Sequence, residues 1–340
     1  MATNLRLTGA DFLAELEEPV KPKKLEYVFR EGVRSLSYSR LQTFYSCPRK
    51  FHLGELRGAK GFNPTIHTAF GHAYAMGIQT YLHLRSTQSH EVALARSFVS
   101  AIAAYDYPGI FEEESASKKS LWFALIGVES FATQAAPGIL EEFEVAVING
   151  KPAIELFFLL QIDEETDYQG HIDLILKHRV TGELFILEIK TKGGDTSPAD
   201  WANSFQTLGY NAILHTVVPG GTNLNVLYIV YNTKQMTVST MSFVKSSAHR
   251  AEFITSLLLD VNQMREYDKH NYWPKRGGSC ASWGKACHLF GVCDNEYSGM
   301  SVPEAYESVP IDNVDFVIHI DQMLEVESTA TSETVDWESM

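Results

Sequence analysis

The chain has 340 residues, 45% hydrophobic and 21% charged, enough to bury the core of one large or two ordinary domains and too apolar to be disordered as a whole. No run approaches the roughly 18 apolar residues that span a bilayer, and Met1-Ala2-Thr3-Asn4-Leu5 lacks the charged-then-apolar start of a signal peptide. An intracellular, cytoplasmic protein with no membrane partner is expected, its four cysteines reduced or metal-bound. The net charge of −14 argues against nucleic acid only until its distribution is considered. Residues 294–340 hold twelve of the 42 acidic residues and no lysine or arginine, which leaves 30 acids against 28 bases in the body. That acidic end reads as a solvated, flexible tail. The sharper alternative is that it competes with DNA for a basic groove or recruits a partner.

Residues 1–34 form a short leader containing Lys21-Pro22-Lys23-Lys24. Ser39 followed by Gln42 is a capping-box pattern, which predicts a helix from Arg40 to near Pro48 with Cys47 at its end. Arg49 and Lys50, beside it, either contact phosphates or complement the helix dipole. Ile66, Phe70, Tyr74, Ile78, Tyr81 and Leu82 recur at helical spacing and predict a helix over 64–84, with His72 inside it next to Gly71. Helices over 89–105 and 119–134 extend this into a helical insert at about 60–140, ahead of a sheet that begins near Phe143.

Two hairpins follow. Strands 144–148 and 153–160 flank a turn at Gly150, and strands 170–176 and 184–191 flank a turn at Thr181-Gly182. A helix over 199–217, strands 225–231 and 235–243, and an amphipathic helix over 248–269 with Phe253, Leu257, Leu258, Val261 and Met264 inward complete the pattern. Strands, then a helix, then strands imply an α/β domain with one mixed central sheet flanked by helices.

The second hairpin carries the chemistry. Alternation puts Glu188 and Lys190 on one face of their strand and Ile189 on the other, with Asp173 opposite them on the partner strand. A carboxylate on each of two paired strands, with an ammonium two residues past the second, can hold Mg²⁺ and position a water. The commoner fate of an E-x-K is a surface ion pair, but here the charges sit in strands that otherwise read as buried, where charge is costly without a purpose. Gln206 and Tyr210 share one face of the following helix. Glu155, on the preceding strand, either supports a second metal or a water, or is a strand-edge surface carboxylate. Cys280, Cys287 and Cys293 cluster as C-x6-C-x5-C, with Cys47 remote. Four thiolates suit Zn²⁺ or an iron-sulfur cluster, which would tie the N-terminal helix to the C-terminal segment.

Ser37-x-Ser39 with Cys47, Gly170-x-x-Asp173, Glu188-x-Lys190, Gln206-x-x-x-Tyr210 and the terminal cysteines together resemble the RecB-type exonucleases of the PD-(D/E)XK superfamily. The likeness is to the branch with an iron-sulfur cluster, which includes the AddB nuclease domain, the CRISPR adaptation exonucleases and similar phage proteins. It spans about Ser37 to Cys293. The resemblance implies a restriction-endonuclease-like core over 35–293, with the cysteine clasp at 280–293. Asp173, Glu188 and the carbonyl of Ile189 would bind catalytic Mg²⁺ or Mn²⁺, and Lys190 would activate the attacking water. Gln206 and Tyr210 would hold substrate or Lys190. Cys47, Cys280, Cys287 and Cys293 would ligate a [4Fe-4S] cluster. Two departures stand out: Ala75 occupies the position of the family's metal-binding histidine, with His72 as a replacement or a mere helix histidine, and six residues separate the first two clustered cysteines, which leaves Zn²⁺ open.

A metal-dependent DNA exonuclease of recombination, repair or phage DNA processing is favoured. The alternatives are a structure-specific endonuclease on the same core and a non-catalytic DNA-binding cluster protein. The chain has no G-x-x-x-x-G-K-[ST] loop, so unwinding would come from a helicase, with a recombinase or single-strand-binding protein as further candidate partners.

Overall fold

The computed structural model describes residues 33–56, 65–107, 118–218, 224–282, 285–293 and 314–332. The expected leader, apart from its last residues, and much of the acidic end lie outside these. Strand β1 (Arg34–Leu36) leads into α1 (Tyr38–Ser46). The cap is Ser37 rather than Ser39: its hydroxyl accepts from the Arg40 N–H at 3.4 Å, and Ser39 Oγ lies 3.2 Å from it. Cys47 ends this helix, and Pro48 opens a short one, α2 (Pro48–Phe51), because proline at a first helical position loses no hydrogen bond. A π-helical turn, His52–Leu56, follows.

The helical insert is α3 (Ile66–Leu84), α4 (His90–Ala104), α5 (Leu121–Gln134) and α6 (Ala136–Glu142). Thr65 and Ser89 cap α3 and α4 through their hydroxyls. No single described helix is long and apolar enough to cross a membrane. Next come β2 (Phe143–Val145) and the ribbon β3 (Val147–Ile148) and β4 (Lys151–Pro152). Asn149 and Gly150 turn that ribbon with φ of 51° and 77°, the left-handed pair a two-residue hairpin needs. Long strands β5 (Ile154–Gln161), β6 (Thr166–His178) and β7 (Leu184–Lys192) follow, with Gly182 (φ 74°) in the turn between the last two.

The expected helix over 199–217 is split. Pro198–Asp200 is a 3-10 turn, and α7 (Phe205–Val217) starts only after Ser204. Asp200 is held by Lys192 at 2.7 Å, and the Ala202 carbonyl accepts from the Lys245 ammonium, so the intervening backbone is bound to the sheet instead of to a helix. Strands β8 (Leu224–Asn232) and β9 (Thr237–Lys245) precede the long α8 (Ser247–Lys269). Phe253, Leu257, Val261 and Met264 of α8 are buried, each contributing about 1.5–3 kcal/mol by leaving water. The C-terminal part holds β10 (Ala281–Ser282), β11 (Lys285–Ala286) and α9 (Phe290–Cys293).

Part of the expected solvated tail is folded. Phe316–His319 forms β12, parallel to β5 from Phe316↔Phe158 to His319↔Gln161, and α10 (Ile320–Ser332) packs on α7 and α8. The Asp315 carboxylate accepts from the Phe157 N–H at 2.9 Å. Phe316, Ile318 and Ile320 are buried, and that alternation is the signal the acidic composition masked.

The main sheet runs β12-β5-β6-β7-β8-β9, with β1 and β2 also paired to β6. β12–β5, β7–β8 and β1–β6 are parallel and the rest antiparallel. The domain is thus α/β with a mixed central sheet, covered on one face by α7 and α8 and on the other by α3 and α5. This arrangement is consistent with a restriction-endonuclease-like core.

Candidate active site

The site lies where two strands part. The β6–β7 ladder ends at Leu174↔Leu187, whereas β7 stays paired with β8 as far as Lys192↔Asn232. Asp173 and Glu188 are the first residues past the fork. The Ile189 N–H, released from β6, donates to Asp173 Oδ2 at 3.1 Å, so the carboxylate bridges the gap.

Glu188 is fully buried, and neither of its oxygens receives a hydrogen bond of ordinary geometry. Its counter-charge is the Lys190 ammonium, 2.5 Å from Oε1. Lys190 is 28% exposed against 1% for the Glu188 side chain, which puts the ammonium on the solvent side of the carboxylate. Lys190 Nζ also donates to Gln206 Oε1 at 2.8 Å, and Gln206 Nε2 donates to the Tyr210 hydroxyl at 2.7 Å. The late start of α7 places Gln206 in its first turn, beside β7. Gly170 has a packing reason: a Cβ there would come within 2.9 Å of Phe158 and 3.5 Å of Tyr210.

Electrostatics follow from this crowding. Burial pushes Asp173 well above the usual carboxylate range, and the Glu188 and Glu155 charges push it further. Burial also raises Glu188, against the pull of Lys190. For Lys190, burial pulls downward, but Glu188 and Asp173 outweigh it and the ammonium is held charged. Burial raises Tyr210 as well, with Glu188 and Asp173 adding to it.

A third carboxylate and a glutamine adjoin the fork. The β5–β6 ladder pairs Ile154 with Leu174 and Leu156 with Ile172, leaving Glu155 opposite Asp173. Glu155 has φ +48°, a left-handed backbone that costs a non-glycine residue about 1–2 kcal/mol. Gln79 of α3, 1% exposed, donates from Nε2 to Glu155 Oε1 and to the Asp173 carbonyl. Sequence reasoning missed Gln79, although a glutamine between Ile78 and Tyr81 on an apolar helix was a signal. His72, two turns earlier, is exposed.

The four cysteines come together although Cys47 is remote in sequence. Cys47, Cys280, Cys287 and Cys293 line one small cavity of about 60 Å³, with Lys50 and Lys275 at its wall. Cys47 is buried and the other three are half-buried. Arg49, by contrast, is turned inward and donates from Nε to the Trp273 carbonyl at 3.0 Å, so it is not a surface cation. Lys50 is half-buried.

Among the described residues no three His, Cys, Asp or Glu side chains form a ready-made metal cage. The fork nonetheless fits a divalent cation chemically. Glu188 offers two buried oxygens beside Asp173, with Lys190 against only one of them, and carboxylate oxygens are the donors Mg²⁺ and Mn²⁺ prefer.

A family model described as the PD-(D/E)XK nuclease superfamily matches residues 35–294. Among solved structures, one described as a "putative exonuclease" from Eubacterium rectale is similar at 11% identity and a TM-score of 0.46, over 82% of this chain and 91% of that one. Another, SSO0001, is similar at 12% identity and a TM-score of 0.27, over 73% and 80%. Neither likeness is close enough to carry an argument about activity. No curated protein matches the chain.

Proposed function

The chain belongs to the PD-(D/E)XK nuclease superfamily, and we propose that it is a Mg²⁺- or Mn²⁺-dependent deoxyribonuclease that degrades DNA from an end. The observation that carries this reading is Lys190 held 2.5 Å from a fully buried Glu188 at the fork that also presents Asp173. Asp173 and Glu188 would hold the cation, which supplies charge stabilisation and an acidified water when bound. Lys190, on the solvent side, would orient the attacking water and stabilise negative charge as it develops on the phosphate. Gln206 fixes the Lys190 rotamer, and Tyr210 fixes Gln206, so the ammonium is aimed before substrate arrives. The Ile189 carbonyl remains a proposed further ligand, and His72, exposed on α3, the weakest one.

The cysteine-lined cavity supports a second part of the proposal. Cys47, Cys280, Cys287 and Cys293 would hold a [4Fe-4S] cluster, or Zn²⁺, and so clasp α1 to the C-terminal segment. Recombination, repair or phage DNA processing is the proposed setting, with unwinding supplied by a separate helicase and DNA as the substrate. Lys50 is the proposed phosphate contact of the pair Arg49 and Lys50, since Arg49 is buried.

Comparing linear with covalently closed circular DNA in Mg²⁺ tests the reading. Loss of linear DNA with the circle intact is the expected result. Nicking or linearisation of the circle at a similar rate would favour the endonuclease alternative.

A further inference from the structure

The mechanism leaves three features unused: the left-handed backbone at Glu155, the buried Gln79 that reaches it, and an oxygen of Gln79 with no partner. Glu155 is half-buried opposite Asp173, and its charge acts on both Asp173 and Glu188. A surface carboxylate would need neither a strained backbone nor an amide brought from another layer of the fold. Gln79 is 1% exposed, and its Nε2 is shared between Glu155 Oε1 and the Asp173 carbonyl, tying the helical insert to β5 and to β6 at the fork. Its Oε1 is buried without a hydrogen-bond partner, although a buried amide oxygen ordinarily finds one. An unpaired acceptor on the amide that holds the Glu155 carboxylate lacks positive charge, not another acceptor. Backbone strain of this kind persists where a site requires it.

From these observations we infer that Glu155 is a third carboxylate ligand of the divalent cation at the fork, and that Gln79 is the positioning residue that aims it. This rests on the metal-site reading of Asp173 and Glu188. Gln79 leaves the second carboxylate oxygen of Glu155 for the cation while adding no further negative charge. The helical insert thereby contributes to metal affinity through an amide.

The test is calorimetric titration of the full chain, stripped with EDTA, with Mn²⁺ and no DNA, alongside melting temperatures. Glu155→Gln should weaken Mn²⁺ binding at least about 10-fold, and Gln79→Leu by about 10–100-fold, the range for residues that orient a ligand. Glu155→Gly should lose affinity as Glu155→Gln does yet melt no lower than the wild type, because glycine relieves the left-handed backbone. A merely structural Glu155 would give the reverse, a lower melting temperature with Mn²⁺ affinity intact. If Asp173→Asn loses Mn²⁺ while Glu155→Gln binds like the wild type, this inference is overturned and the metal site stands. If both variants bind like the wild type, the metal-site reading itself falls. Should Gln79→Leu fail to fold, the near-isosteric Glu155→Gln still decides the role of Glu155, and Gln79→Glu, which keeps the side-chain length but sets a charge against Glu155, decides that of Gln79 by the same titration.

Discussion

Arg49 donates from Nε to the carbonyl of Trp273 at 3.0 Å, joining residues 224 positions apart. Its own N–H donates to the neighbouring Pro274 carbonyl at 3.1 Å. The N-terminal helices are therefore fastened to the C-terminal segment by ordinary hydrogen bonds, beside the cavity where the four cysteines meet. Arg49→Met should destabilise the fold by about 1–3 kcal/mol, because a buried acceptor loses its donor. Chemical denaturation measures this, and a variant as stable as the wild type would show that the fastening is incidental.

The proposed cluster should make the cysteines act as one unit, since metal binding then couples to folding. Cys47→Ala should lower iron or zinc content and melting temperature as much as Cys287→Ala does, despite their separation in sequence. Iron and sulfide at about four each per chain would identify a [4Fe-4S] cluster, and one zinc without sulfide the tetrahedral alternative. Full metal content in Cys47→Ala would remove that residue from the ligand set.

The raised carboxylates at the fork imply a specific pH dependence for the metal-free protein. Asp173 and Glu188 titrate above their unfolded values of about 4, so from there upward the folded chain binds more protons than the unfolded one. Their contribution to stability is thus fully present below about pH 4 and is lost as pH rises through the raised folded values. In EDTA, the wild-type melting temperature should fall across this window relative to Asp173→Asn/Glu188→Gln. Mn²⁺ should restore it more strongly as pH rises, because the cation takes the place of the protons. Parallel pH profiles for the two proteins would contradict the electrostatic account.

Much of this organisation was legible in the sequence, for reasons that differ between elements. The hairpin at Thr181-Gly182 follows from period-two alternation, which the paired strands obey as far as Leu174↔Leu187; that they part there, at Asp173 and Glu188, was not legible. The break in the helix before α7 was not legible, because Lys245, which holds the Ala202 carbonyl, is distant in sequence. Strand β12 was obscured by the acidic composition around Phe316 and Ile318. The partnership of Gln79 with Glu155 needs a helix laid on the sheet, and no local pattern announces it.

Packing around Gly170 gives a separate test of how tightly α7 is set against the sheet. Gly170→Ala would drive a methyl against the Phe158 ring and toward Tyr210, an overpacking that costs about 1–3 kcal/mol. Because Tyr210 anchors Gln206, kcat should fall while DNA affinity changes little. Unaltered stability and turnover would mean that the aromatic rings move aside freely.

Lys190 is the residue whose role separates chemistry from scaffold. Lys190→Ala should lose turnover while DNA binding, read by fluorescence anisotropy, stays within a few-fold of wild type. An unfolded variant would mark Lys190 as the structural partner of Glu188 alone.

The most direct measurement is degradation of end-labelled linear DNA in Mg²⁺ or Mn²⁺ by the wild type and by Glu188→Gln, with folding of both checked by circular dichroism. The wild type should shorten the DNA and stop when EDTA is added, and Glu188→Gln should be slower by about 100-fold or more, the scale of losing a central electrostatic group. A folded Glu188→Gln that cleaves within a few-fold of the wild type would contradict the assignment of the β6–β7 fork as the active site.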